Sequence, residues 1–114
     1  MSYPRFPGDL KVYDKTENIL QEADRLVSGD RHEAYKHPLH DYECTAAMWK
    51  AMIAKRYGVI VDLTPDFCTL MMAALKISRE VGKHKRDNLV DLAGYARCTE
   101  MILDAMPEDP THSP

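Results

Sequence analysis

Asp87, Asp91 and Tyr95 recur at intervals of four, so a helix carrying them sets all three along one side. Two carboxylates one turn apart can contribute to a Mg²⁺ site completed by waters and substrate phosphates, and a carboxylate in that position can also serve as a general base. Lys76 and Arg79, one turn apart in the apolar run Leu70-Met71-Met72-Ala73-Ala74-Leu75, are cations that need either water or carboxylate partners. Two readings are compatible: an ion-pair network with Asp87 and Asp91 across a helical hairpin, or a cation pair that meets phosphate oxygens and is held by those aspartates. Asp87 also suits an N-cap, and Gly94 suits close approach of a helix or a ligand. A third polar group is the stretch Gly29-Asp30-Arg31-His32-Glu33-Ala34-Tyr35-Lys36-His37-Pro38. It ends at a helix start, where backbone N–H groups receive anions. There Arg31 adds charge, His37 charge or proton transfer, and Tyr35 a ring for stacking on a base.

These groups need elements to hold them, and the patterning is helical. Ile19, Leu20, Ala23, Leu26 and Val27 form one stripe over residues 16–28, with Asp14 and Glu17 at capping-box spacing and Gly29 as a stop. Pro38 opens a second helix to Tyr57, with Tyr42, Ala46, Trp49 and Ile53 on a shared face and Gly58 behind it. Thr64-Pro65-Asp66 starts a third, in which Phe67, Leu70, Met71, Ala74 and Ile77 make the expected core stripe before Gly82. A fourth runs from near Asp87 to about Met106, closed by Pro107. Val59-Ile60-Val61 is too short for a sheet and reads as an apolar linker. The expected architecture is all-α: a compact four-helix domain over residues 14–106, an extended arm at 1–13 with Tyr3, Phe6 and Tyr13, and a disordered tail at 107–114.

The 114 residues suit one domain, and the formal net charge of −3 gives no argument for nucleic acid. The one basic run, Lys83-His84-Lys85-Arg86, reads as a solvated loop. Cys44, Cys68 and Cys98 include no Cys-x-x-Cys pair and are expected to be buried free thiols in a reducing compartment. With no signal peptide and no long apolar run, the expectation is a cytoplasmic protein that does not enter a membrane. Seven methionines point to an adaptable core, and so small a chain gains from homo-oligomerisation.

The same three polar segments carry a resemblance. Glu22-Ala23, Leu26-Val27, Gly29-Asp30-Arg31, Tyr35 and His37-Pro38, then Asp66, Met71, Leu75-Lys76 and Arg79, then Arg86-Asp87, Asp91 and Ala93-Gly94-Tyr95-Ala96 follow a pattern of small helical phage and prophage proteins, mostly of unassigned function. The similarity covers residues 18–98. Lys36 departs from it, standing where the family has Gly, and so loses easy access to positive φ. The family is in turn distantly similar to all-helical nucleotide pyrophosphohydrolases of the MazG type. That resemblance implies a nucleotide ligand in an infected or lysogenic host cell. Lys76, Arg79 and Arg31 would hold phosphates, Tyr35 and Tyr95 would line the base and ligand site, and Asp87 and Asp91 would hold Mg²⁺. Asp91, Asp87 and His37 are the candidate catalytic residues. Two alternatives are a nucleotide-sequestering protein without turnover and an oligomeric module that grips a host protein.

Overall fold

The computed structural model describes residues 16–30 and 37–107, with only the backbone of Asp30. The described residues form helices and connections and contain no strand. Helix α1 spans Ile19–Arg25 and runs on into a π-helical turn, Leu26–Asp30. Helices α2 (Pro38–Tyr57), α3 (Pro65–Gly82) and α4 (Arg86–Ala105) follow. The expected all-α, four-helix architecture is therefore what the chain adopts. The arm at 1–13, and the tail beyond Pro107, lie outside the described residues.

Helix α1 starts three residues later than its apolar stripe suggests. Its capping box is Asn18 with Gln21, not Asp14 with Glu17. Asn18 Oδ1 accepts from the Gln21 N–H and Gln21 Oε1 accepts from the Asn18 N–H, each at 2.8 Å. These bonds satisfy two of the donors that a helix start leaves open. Gly29 is not a left-handed stop: among the described glycines only Gly58 has positive φ, at 69°, and it closes α2. Pro38 and Pro65 do stand in the first turns of α2 and α3, where a missing N–H costs nothing. Thr64 is the N-cap of α3, yet its hydroxyl makes no cap bond.

Helix α4 is the axis of the domain, since α1, the π turn, α2 and α3 all pack on it. Ala23 and Leu26 close on Val90, with Ile19 and Ala93 at the margin. At the other end Ala46, Leu63 and Cys68 form a second cluster, flanked by Tyr42, Trp49 and Val61. Val61 and Leu63 thus anchor the 59–64 linker, while Ile60 stays in solvent.

The stripe expected to be the core of α3 faces outward. Phe67, Leu70, Met71, Ala74 and Ile77 are exposed, and the buried side carries Cys68 and Thr69. Leu20 of α1 is likewise exposed, as are Met48 and Met52, so the methionines are not a common core. The reason lies in α4, which offers α3 a polar row. Thr69 and Thr99 hydroxyls meet at 2.6 Å, and each also reaches a carbonyl of its own helix, Asp66 at 2.8 Å and Tyr95 at 2.7 Å. Each hydroxyl has one proton, so two of these three contacts are hydrogen bonds at any moment, and each oxygen keeps a partner in its covered setting. A helix satisfied through threonines, a lysine and a thiol leaves its larger apolar side chains for the opposite face.

Cys68 and Cys98 are buried, as expected for structural thiols, whereas Cys44 is exposed. Burial, and secondarily the charge of Asp66, pushes the Cys68 thiol above its usual range and keeps it protonated.

Candidate functional site

The α3–α4 hairpin is closed by one carboxylate. Glu80 Oε1 accepts from the Lys85 N–H at 2.9 Å and from Asn88 Nδ2 at 3.3 Å, while Glu80 Oε2 meets His84 Nδ1. Lys85, the N-cap of α4, supplies no side-chain cap, so Glu80 does this work from the preceding helix. Asp87 therefore lies in the first turn of α4 and is not its N-cap. The hairpin register follows, with Glu80–Asn88, Lys76–Asp91 and Thr69–Thr99 facing one another almost symmetrically about His84.

The bonds from His84, Lys85 and Asn88 hold the Glu80 carboxyl below its ordinary value of 4.5. A carboxylate depressed in the folded state stabilises it fully above its unfolded pKa, and that contribution disappears as pH falls through the folded value. The expected outcome is selective loosening of the 83–88 turn below pH 4.5, read as faster amide exchange at Lys85. Glu80→Gln should abolish this pH dependence.

Lys76 and Asp91 form the predicted interhelical pair, Nζ to Oδ2 at 3.0 Å, with both side chains mostly covered. Arg79, one turn beyond Lys76, is exposed and has no ion pair among the described residues. The sequence reading missed a second, deeper pair: the buried Glu22 of α1 takes the guanidinium of Arg86, which also donates to the Glu17 carbonyl at 3.0 Å. Arg86 is thus not part of a solvated basic run. Arg25 sits at the rim of this cluster, 3.0 Å from Glu17 and 3.9 Å from Glu22. The available signal was the lone acid Glu22 beside Ala23 in an apolar stripe, a position that demands a cation.

Helix α4 carries two rows of contacts. Arg86, Val90, Gly94 and Arg97 face α1 and the π turn, through Glu22, Leu26, Val27 and Asp24. Asn88, Asp91 and Thr99 face α3. Asp87 stands between Arg86 and Asn88 and so lies on the seam between the rows, with Gly94 two turns on. A Cβ added at Gly94 would reach Val27 Cγ2 at 3.6 Å, an ordinary contact. Packing against the π turn alone does not require the glycine.

His37 is placed at the start of α2, where its Nδ1 accepts from the Leu39 N–H at 3.1 Å. That bond puts the ring proton of the neutral form on Nε2. Arg31 and Tyr35 lie outside the described residues. Of the candidate residues, the fold brings Lys76, Asp87, Asp91, Tyr95 and Arg79 to one hairpin. His37 is held at the mouth of a different helix. No group of three or more His, Cys, Asp or Glu side chains suited to a metal assembles among the described residues. Asp91, one of the two carboxylates expected to hold Mg²⁺, is engaged by Lys76 through Oδ2.

Four residues of the sequence pattern, Glu22, Lys76, Arg86 and Asp91, stitch α1 and α3 to α4. A family model described as a domain of unknown function, DUF6378, matches residues 18–103. The chain belongs to this family. Among curated proteins it is similar to the Gene 55 protein of Mycobacterium phage D29, 36% identical over 90 residues that cover 78% of this chain and 56% of that one. The Gene 55 protein of Mycobacterium phage L5 is 36% identical over 94 residues, covering 81% of this chain and 55% of that protein. The chain thus spans little more than half the length of the curated relatives it matches. No solved structure matches it. Among the described residues, no helix is long and apolar enough to cross a membrane.

Proposed function

We propose that the chain is a phage-type protein of the host cytoplasm that binds a nucleotide or a nucleotide-like phosphorylated small molecule at the α3–α4 hairpin. The observation that carries this reading is Arg79. It is the cation of the patterned segments that packing leaves exposed and without an ion pair among the described residues, one turn from Lys76–Asp91. A guanidinium in that position is suited to bidentate phosphate recognition. Asp91 orients the Lys76 ammonium, and Tyr95 follows Asp91 by one turn of α4. Arg31 and Tyr35, which follow the π turn in sequence, are the residues proposed as complementary phosphate and base contacts.

Binding without turnover accords better with the described carboxylates than MazG-type hydrolysis does, because Asp91 is spent on Lys76 and no third acidic ligand joins Asp87. The test is a thermal-shift screen of nucleotides in chelator and in Mg²⁺, with phosphate and pyrophosphate release measured in parallel. A bound nucleotide at a hundredfold excess over Kd stabilises the fold by about 2.7 kcal/mol. Arg79→Ala should lose that shift while its own unliganded stability changes by no more than about 0.5 kcal/mol. If no nucleotide shifts the melting temperature in either condition, the reading is wrong. Phosphate or pyrophosphate release would replace sequestration with the hydrolase.

A further inference from the structure

From its outward face, we infer that α3 is the contact between two copies of this chain, paired antiparallel about a two-fold axis at Ala74. Phe67, Leu70, Ala74, Ile77 and Val81 follow one another at intervals of three and four, the spacing of a seam made for another helix. All five are exposed, as are Met71 and Leu75 beside them, and the six large side chains leave between 39% and 82% of their surface uncovered. Ser78 is the one polar residue on this face, and no charged residue interrupts it, since Lys76 turns inward to Asp91. The face is long: the fourteen residue steps from Phe67 to Val81 rise about 21 Å.

Three features select a second copy as the occupant. The first is area. The uncovered apolar surface is on the order of 500 Å², the top of the range for a monomer's largest patch. Burying it on both copies gives about 1,000 Å², the threshold for a biological interface and the size of a weak, concentration-dependent one. The second is self-complementarity. An axis at Ala74 sets Phe67 against the partner copy's Val81 region and Leu70 against its Ile77 region, with the smallest side chain at the crossing where the backbones come closest. The third is charge. Asp62 and Asp66 stand at the start of α3, and Lys83 just beyond its end. Antiparallel pairing places acids opposite bases and opposes the helix dipoles, whereas parallel pairing stacks like on like.

Sedimentation equilibrium of the full chain between about 1 and 100 µM tests the contact. The expected result is concentration-dependent doubling of the 13.0 kDa mass. Ala74→Glu, at an exposed position, should shift the midpoint by at least tenfold towards monomer with unchanged circular dichroism. A wild-type chain that stays monomeric at 100 µM, or an Ala74→Glu chain that self-associates as wild type does, overturns the proposal. Orientation is read in a Cys44→Ser background by mixing Leu70→Cys and Ile77→Cys chains. Cross-links between the two variants support antiparallel pairing; cross-links only within each variant overturn it.

Discussion

Arg86→Ala is expected to cost about 3 kcal/mol of unfolding free energy, the range found when one member of a buried ion pair is removed. Glu22 is buried and mostly enclosed by α1 and α4, and Arg86 is the guanidinium that meets it. Without Arg86 the carboxylate loses that guanidinium, with Arg25 standing 3.9 Å away, and the Glu17 carbonyl loses its 3.0 Å donor. Helix α1 is a short element, seven residues, below the length at which a helix is stable by itself in water. It depends on docking to α4, so loss of the pair should free the whole segment from Asn18 to the π turn. Urea unfolding gives the free energy, and amide exchange at Ala23 and Leu26 reports local release. The double variant Glu22→Leu with Arg86→Met removes both charges and should recover to within about 1 kcal/mol of wild type, since an apolar pair of similar volume replaces such a bridge well. Equal loss in the single and double variants would show that the pair is not the docking device.

Ile102→Ala is expected to cost about 3 kcal/mol, while Ile77→Ala changes monomer stability by about 0.5 kcal/mol or less. The side chains are the same and the truncation is the same. Ile102 has no exposed surface in the last turns of α4, one turn from the buried Cys98, so its removal leaves a cavity lined by a helix that every other element packs on. Ile77 is 51% exposed and leaves none. Unfolding is compared in the Ala74→Glu background, where self-association does not contribute. A cost at Ile77 matching that at Ile102 would place the α3 stripe inside the domain and contradict the packing described above.

Helix existence and most helix ends were legible in the sequence because they depend on local chemistry. Pro38, Pro65 and Gly58 act through their own backbones, and α2 and α3 span the residues that their punctuation marks. The Lys76–Asp91 pair was legible as well, since two cations in an apolar run need carboxylates and the next helix offers them. Asp87 shows the limit of local reasoning: its type suits a cap, but Glu80, reaching across the turn, takes that role.

Which face of a helix goes inside is not a local property. Periodicity places Phe67, Leu70, Met71, Ala74 and Ile77 on one side of α3, and it says equally well that this side seeks an apolar neighbour. Whether that neighbour is the chain's own core or another surface depends on what α4 presents, and α4 presents Asp91 and Thr99. The Glu22–Arg86 pair lies 64 positions apart and was hidden for the same reason, because Arg86 sits in a basic run that by itself suits solvent. By itself, then, the sequence determined four helices, the ends of α2 and α3, and the polar segments Lys76–Arg79 and Arg86–Tyr95 as neighbours. The tertiary structure decided that Asp91 and Arg86 hold α3 and α1 to α4, while Arg79 stays exposed on the hairpin. Burying a charge requires a partner at hydrogen-bonding distance, and only the folded chain sets that distance.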